Sequence, residues 1–386
     1  MAIKAETTFS LKDQLFNATS LRKLSDALDQ TKLRYQRKKF EKEILDAFPN
    51  LELKARIDWM VTVLAGYLPD EFEVAIEILE NALPSPLDPK KTDDDFGEFI
   101  WAVPGEYVAR FGCTDLHLES SLDFLRKSTM RFTAENSIRP FLRRYPEETM
   151  RFIRRCATDN NYHVRRLASE GIRPFLPWAV RANVEPEQIF EVLEILKHDN
   201  TRYVTRSVAN TLNDLSKTDP QKVIQTLTDW QKQPSDEMTW VIKHALRTLI
   251  KRDHDGALSL LGYPTDPQFE LSAVNASTLI FVGEHLSYQC TIKSNVSQRL
   301  RIALRVYYLK ANGSHSAKVF SVKDTNASAG ETIQINKKVS FKAITTRAMY
   351  PGQHEVEIVV NGIARSKRSF QLCQPSQSFD DANSSK

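Results

Sequence analysis

The chain has 386 residues, of which 41% are hydrophobic and 26% charged, with a formal net charge of +4; this is the profile of a soluble globular protein with room for two or three domains. No apolar run approaches the ~18 residues of a membrane span, and the start MAIKAETTFSLKDQLF has neither the apolar segment nor the cleavage site of a secretory signal. The four cysteines (Cys113, Cys156, Cys290, Cys373) are far apart and form no C-x-x-C, which excludes a disulfide framework and a zinc ribbon and makes the cytosol the expected compartment.

In chain order, an array of helices is expected to begin near residue 10, with apolar periodicity over Leu51 to Leu64 and Phe72 to Leu83. The stretch Ser85 to Phe96, with its prolines and Asp93-Asp94-Asp95, reads as a loop. It closes an acidic block, residues 51–100, in which four basic side chains face twelve acidic ones; residues 126–173 reverse this, with twelve basic against five acidic. An internal repeat lies in the basic region. Ile-Arg-Pro-Phe-Leu occurs at 138–142 and again at 172–176, and Asp-Asn-x-x-x-Val-x-Arg runs from Asp159 and recurs from Asp199. A weaker third copy follows at Trp240-Val241-Ile242-Lys243. Each Val-x-Arg opens a helical stripe (Val164, Leu167, Ala168, Ile172; Val204, Val208, Ala209, Leu212), and segments 147–157, 186–197 and 220–231 carry stripes of their own. Helix pairs at intervals of 34 to 40 residues predict a superhelical solenoid of HEAT-like repeats, each pair burying its apolar face on the next.

After about Asp266 the period changes to two. Leu300, Ile302, Leu304, Val306 and Tyr308 alternate with more polar residues, as do Val356, Ile358 and Val360, which predicts strands with one buried face. Asn312-Gly313 and Asn361-Gly362 are hairpin-type turns. The expected layout is therefore an all-α array over 1–265, an all-β immunoglobulin-like sandwich over 266–373 and a disordered polar tail over 374–386. Between Lys293 and Arg347 eleven basic residues stand against two acidic ones, a second basic surface suited, like the first, to a long polyanion.

Candidate chemistry is sought on the second helices, which line the concave face of such an array. Glu135 follows Thr133, read as the N-cap of a helix opening at Thr133-Ala134-Glu135, and Glu170 lies 35 residues later, about one repeat, so the two carboxylates are expected in one cleft. Around them stand Arg165, Arg166, Arg173 and Trp178; the next repeat adds Arg206, Asn210, Asn213 and Asp214, and the third copy adds Lys243 and Arg247. Carboxylates among arginines and an aromatic ring suit hydrolysis of an N-glycosidic bond, because negative charge stabilises an oxocarbenium-like sugar and one carboxylate aligns water. A base that is already cationic leaves without protonation, and arginines grip phosphate. The same residues also read as ordinary ion pairs on helix faces, and Trp178 as a core residue between repeats. The eight histidines show no metal-ligand spacing, and there is no G-x-G-x-x-G, Walker A or G-x-S-x-G motif.

At these residues the chain resembles a known family. Phe9 to Asn17, Thr133 to Leu142, Val164 to Gly171, Pro177-Trp178 and Ser207 to Lys217 look like the AlkC type of HEAT-like-repeat alkylpurine DNA glycosylase. Lys318-Val319-Phe320 and Thr345-Thr346-Arg347 look like the C-terminal sandwich of one branch of it. The resemblance covers nearly the whole chain and implies a monomeric, monofunctional bacterial glycosylase acting on 3-methyladenine and 3-methylcytosine type lesions in duplex DNA, without metal or cofactor, cytoplasmic and nucleoid-associated when bound. Glu135 and Glu170 match the family's catalytic acidic positions, with Asp214 as the match for a third. Trp178, Arg166 and Arg173 match positions lining sugar and phosphate. Asn136 departs from the pattern, which more often has an aromatic or apolar residue there. The competing expectation is a nucleic-acid-binding repeat scaffold without catalysis; carboxylates inside a basic groove favour the enzyme, since a pure DNA clamp gains nothing from them.

Overall fold

The structure is a computed structural model that describes residues 10–91, 93, 96–343 and 348–374. The expected tail beyond residue 374, Phe9 of the first motif and the Thr345-Thr346-Arg347 motif lie outside the described residues. The chain divides into two compact units between Ala245 and Leu246.

The first unit is helical. Helices Leu53–Ala65 and Phe72–Ala82 stand where apolar periodicity places them, and Ala102–Phe111 and Leu118–Thr129 follow. The repeats then alternate: Pro146–Cys156 precedes Tyr162–Glu170, Pro186–Leu196 precedes Arg202–Leu215, and Pro220–Trp230 precedes Asp236–Ala245. Each of the three first helices opens on proline, whose missing N–H costs nothing in the first turn and whose fixed φ suits a helix. The Asp-Asn motif launches the second helices. Asp159 Oδ1 accepts from Asn161 N at 2.8 Å and Asp199 Oδ1 from Thr201 N at 2.9 Å, so the chain turns before the helix begins. The stripes Val164, Leu167, Ala168 and Val204, Val208, Ala209, Leu212 are fully buried, each large aliphatic residue contributing roughly 1.5–3 kcal/mol.

Successive repeats are also tied by charge. Arg126 meets Asp159 at 2.5 Å, Arg165 meets Asp199 at 2.5 Å, and Arg202 meets Glu237 at 2.5 Å. Arg165, expected among the DNA-contacting residues, is therefore a repeat-to-repeat tie; its guanidinium also donates to the Asp159 and Asn160 carbonyls. Neighbouring residues on a helix point in different directions, so Arg166 is free to take another course.

The second unit has two sheets. Strands β1 (Phe269–Ala276), β3 (His285–Ser294) and β6 (Thr332–Ser340) form one in the order β1-β3-β6. Strands β2 (Leu279–Phe281), β4 (Gln298–Leu309), β5 (His315–Ala327), β7 (Gly352–Val360) and β8 (Ile363–Cys373) form the other, in the order β2-β8-β7-β4-β5. Tyr288, Ile292, Leu300, Ile302, Leu304, Val356, Ile358 and Leu372 share the core between them. The β7–β8 hairpin turns at Asn361 and Gly362, both at positive φ (47° and 86°), the backbone of a type I′ turn and the reason for the Asn-Gly pair.

The expected single buried face does not hold for the central strands. Arg301, Ala303 and Val359 are buried on the opposite side of the sheet from the core. They are covered by residues 246–265, whose short helices Arg247–Lys251 and Asp255–Leu260 belong to this unit rather than to the repeats. Asp253, its side chain 5% accessible, takes Arg301 at 2.7 Å and Arg305 at 2.6 Å, Arg305 also pairs with Glu357 at 2.6 Å, and Tyr263 donates to Asp324 at 2.7 Å. Three of the eleven basic residues expected to form a surface (Arg299, Arg301, Arg305) are thus spent inside the unit.

Candidate active site

The site is assembled from three rungs of the repeat array. Glu135 comes from the turn between helices Leu118–Thr129 and Arg139–Arg144, Glu170 from the C-terminal end of Tyr162–Glu170, and Asp214 from the end of Arg202–Leu215. Glu135 does not lie inside a helix as the sequence suggested. The helix begins at Arg139, and the Thr133 hydroxyl, expected to cap backbone N–H groups, donates to the Glu135 carboxylate instead.

Arginines alternate with these acids. Arg166 Nη1 donates to Glu135 Oε2 and to Thr133 Oγ1, each at 2.7 Å, and Arg166 Nη2 stands 3.8 Å from Glu170 Oε1. Arg173 Nη1 donates to Glu170 Oε1 at 2.6 Å, and its Nε to Asp214 Oδ2 at 3.0 Å. Lys217 closes the far end at 2.8 Å from Asp214 Oδ1. Glu170 Oε2 accepts from Ser207 at 2.6 Å, and the Arg166 guanidinium lies 4.4 Å over the Tyr203 ring. The result is a continuous acid–base chain, Glu135–Arg166–Glu170–Arg173–Asp214–Lys217, in which every charge has an opposite neighbour.

The two glutamates differ in what surrounds them. Burial pushes the Glu135 carboxyl up, Arg166 opposes this and Glu170 adds to it, leaving it above the ordinary carboxylate value. Burial acts on Glu170 too, but Arg166, Arg173 and the Ser207 hydroxyl outweigh it and hold the carboxyl below the ordinary value. Two carboxyls pushed in opposite directions suit two roles. Glu135 is the more exposed, its side chain 16% accessible against 6% for Glu170.

Trp178 is not a core residue: it is 70% exposed and takes φ 62°, a left-handed conformation that costs a large side chain energy. The fully buried Arg139 holds this segment. It donates to the Gly171 and Arg173 carbonyls at 2.8 Å each and to the Val180 carbonyl, while Lys54 donates to the Trp178 carbonyl. Burial, with Arg173 adding, pulls the Arg139 guanidinium down to about 10. The other residues expected at the site are more dispersed. Arg206 pairs with Asp93, Asn210 Oδ1 lies 3.0 Å from His244 Nε2, Lys243 is exposed on Asp236–Ala245, and Arg247 belongs to the second unit. Arg139 and Ser207 were missed by sequence reasoning. Arg139 had a visible signal, since the Ile-Arg-Pro-Phe-Leu repeat sets it level with Arg173; Ser207 had none. Among the described residues, no group of three or more His, Cys, Asp or Glu side chains is placed to hold a metal ion, and no helix is long and apolar enough to cross a membrane.

A helical-repeat array with an alternating acid–arginine chain, followed by an immunoglobulin-like domain, defines the class of protein at hand, and comparison with known proteins agrees. Residues 119–249 match the family described as DNA alkylation repair enzyme, and residues 270–374 match that described as Uncharacterised protein YhaZ, C-terminal Ig-like domain. The chain belongs to the DNA alkylation repair enzyme family, in the branch that carries this C-terminal domain. It is 33% identical over 333 residues to Uncharacterized protein YhaZ of Bacillus subtilis (strain 168), covering 85% of this chain and 90% of that protein. It is similar in structure to the alkylpurine DNA glycosylase AlkC of Pseudomonas fluorescens, solved bound to DNA containing an abasic site analog, with a TM-score of 0.84 and 29% identity over 95% of this chain and 100% of that one.

Proposed function

We propose that this protein is a monofunctional, monomeric DNA glycosylase that releases cationic N-alkylated bases of the 3-methyladenine and 3-methylcytosine kind from duplex DNA, using no metal or cofactor. The observation that carries the reading is the acid–base chain: three carboxylates gathered at one place from three repeats, each held in position by an arginine. Glu170, kept ionised by its arginines, and Asp214, paired with Arg173, supply negative potential to a sugar that becomes cationic as the base leaves. Glu135 is the more accessible carboxylate and orients the attacking water, accepting its proton. The base carries its own positive charge, so it departs as a neutral molecule and needs no general acid. Exposed Trp178 packs against the lesion nucleotide, while Arg206 and Lys243 contact phosphate. The likeness to a glycosylase solved on DNA supports the duplex as partner.

The test is incubation of the purified protein, in EDTA, with duplexes carrying one 3-methylcytosine, 3-methyladenine, 7-methylguanine or 1,N6-ethenoadenine, followed by alkaline cleavage of abasic sites. Cleavage at the first two lesions is expected. Binding without cleavage of any of them makes the protein a DNA-binding scaffold, and activity that vanishes on chelation and returns with a divalent ion overturns the metal-free mechanism.

A further inference from the structure

The loop that closes the acidic block of the sequence takes no part in the acid–base chain, yet it is not a loose connection. Arg131 Nε donates to the Pro84 carbonyl and Leu87 N to the Met130 carbonyl, each at 2.9 Å. Asp88 turns the chain by accepting from Lys90 N at 2.9 Å, and the Tyr162 hydroxyl donates to the Lys91 carbonyl. Where the chain returns, Gly97 at φ 78° lies so close to the Arg131 carbonyl that no Cβ would fit. Past this pinned base the Asp93 carboxylate pairs with Arg206, 113 residues away along the chain.

This pair differs from the ties that join successive repeats. Those ties use acids at the starts of the repeats' own second helices, Asp159 and Asp199, whose side chains are 10% and 4% accessible. Asp93 is 57% accessible, and it comes from a loop rather than from a neighbouring rung. Glu237, the acid on the next rung, is taken by Arg202 at 2.5 Å and by the Thr205 hydroxyl. The Asp-Asn-x-x-x-Val-x-Arg repeat sets Arg206 level with Arg166, one rung along the array from the acid–base chain. Arg206 is therefore an arginine beside the site whose carboxylate stands in solvent, where an ion pair contributes little to stability and is readily exchanged.

A guanidinium takes a carboxylate or a phosphate with the same fork of N–H donors, so the two anions compete for it. We propose that Asp93 is a built-in competitor of the duplex: it occupies Arg206 in the free protein and yields it to a backbone phosphate when DNA binds, which lowers the affinity for any duplex. The pinned base of the loop holds the carboxylate near Arg206, so it returns when the duplex leaves. The inference rests on the reading of Arg206 as a phosphate contact and adds a restraint on that contact.

The test is the affinity of the full chain for an undamaged duplex, read by fluorescence anisotropy across a salt titration, for wild type, Asp93→Asn, Arg206→Ala and the double variant. At low salt Asp93→Asn is expected to bind about two- to fivefold tighter than wild type, the scale of an exposed ion pair, and the gain should shrink as salt screens the exposed charges. In the Arg206→Ala background the same substitution is expected to change nothing, because the group that Asp93 occupies is gone. Binding unchanged or weakened by Asp93→Asn overturns the inference, and so does an equal gain in both backgrounds, which marks a diffuse effect of charge. Either result, with the wild type binding duplex, leaves the DNA reading standing. A duplex bound by neither wild type nor Asp93→Asn removes that reading and the inference with it.

Discussion

Glu170 carries the largest share of internal bonding at the site, with Arg173, Ser207 and Arg166 all directed at it. Its carboxyl is held below the ordinary value of 4.5, so the stability it contributes is present above about pH 4.5 and is lost as pH falls below that, through the folded-state value. Glu135 runs the other way: its value is raised, so ionising it in the folded protein costs stability as pH climbs from 4.5 toward its own titration. Glu170→Ala leaves Arg166 with Glu135 alone and Arg173 with Asp214 alone, and is expected to cost about 3 kcal/mol at pH 7, with a smaller difference from wild type below pH 4. Urea denaturation of both proteins at the two pH values checks this; an unchanged midpoint at pH 7 would show that the chain does not hold the repeats together.

The segment from Gly171 to Val180 connects a residue-level feature to an element. Buried Arg139 fixes three of its carbonyls, and the exposed Trp178 at its end is held at positive φ. Glycine takes that backbone without strain, and so exposed a ring gives up little packing. Trp178→Gly is therefore expected to raise stability by about 1 kcal/mol while sharply lowering base release. Thermal denaturation and the lesion assay on the same preparation decide it, and a variant both less stable and fully active would contradict the strained-platform account. At this scale the sequence was a good guide where periodicity carried the information. The stripes at Val164 and Val204 and the Asn361-Gly362 turn lie where the spacing puts them. It misled at Thr133-Ala134-Glu135, where a capping pattern resolves into a turn because the hydroxyl binds a carboxylate rather than backbone.

For the whole molecule, the pairing of Asp253 with Arg301 and Arg305 decides where one unit ends. The change from helical to alternating texture near residue 266 is real, but residues 246–265 pack on the five-stranded sheet and carry the acid that Arg301 and Arg305 pair with. Periodicity reports secondary structure, not the unit in which an element is buried, which is why the sequence alone drew the line later. A fragment spanning 246–374 is expected to fold cooperatively, whereas one spanning 266–374 leaves Arg301 and Arg305 without Asp253 and exposes Ala303 and Val359; it should melt several degrees lower or aggregate. Equal melting temperatures for the two fragments would return the boundary to 265.

The central claim is that the carboxylates gathered by the repeats drive base release, with Glu135 as the group that handles water. The most direct measurement is the single-turnover rate of release from a 3-methylcytosine or 3-methyladenine duplex, in EDTA, for wild type and Glu135→Gln across pH 4.5 to 8, with DNA affinity measured alongside. The account predicts that the wild-type rate falls as pH drops through the raised Glu135 value, above 4.5. Glu135→Gln should be about a hundredfold slower, with that acid limb gone and DNA binding unchanged or tighter. A Glu135→Gln protein that releases the base at the wild-type rate with the same pH profile would contradict it.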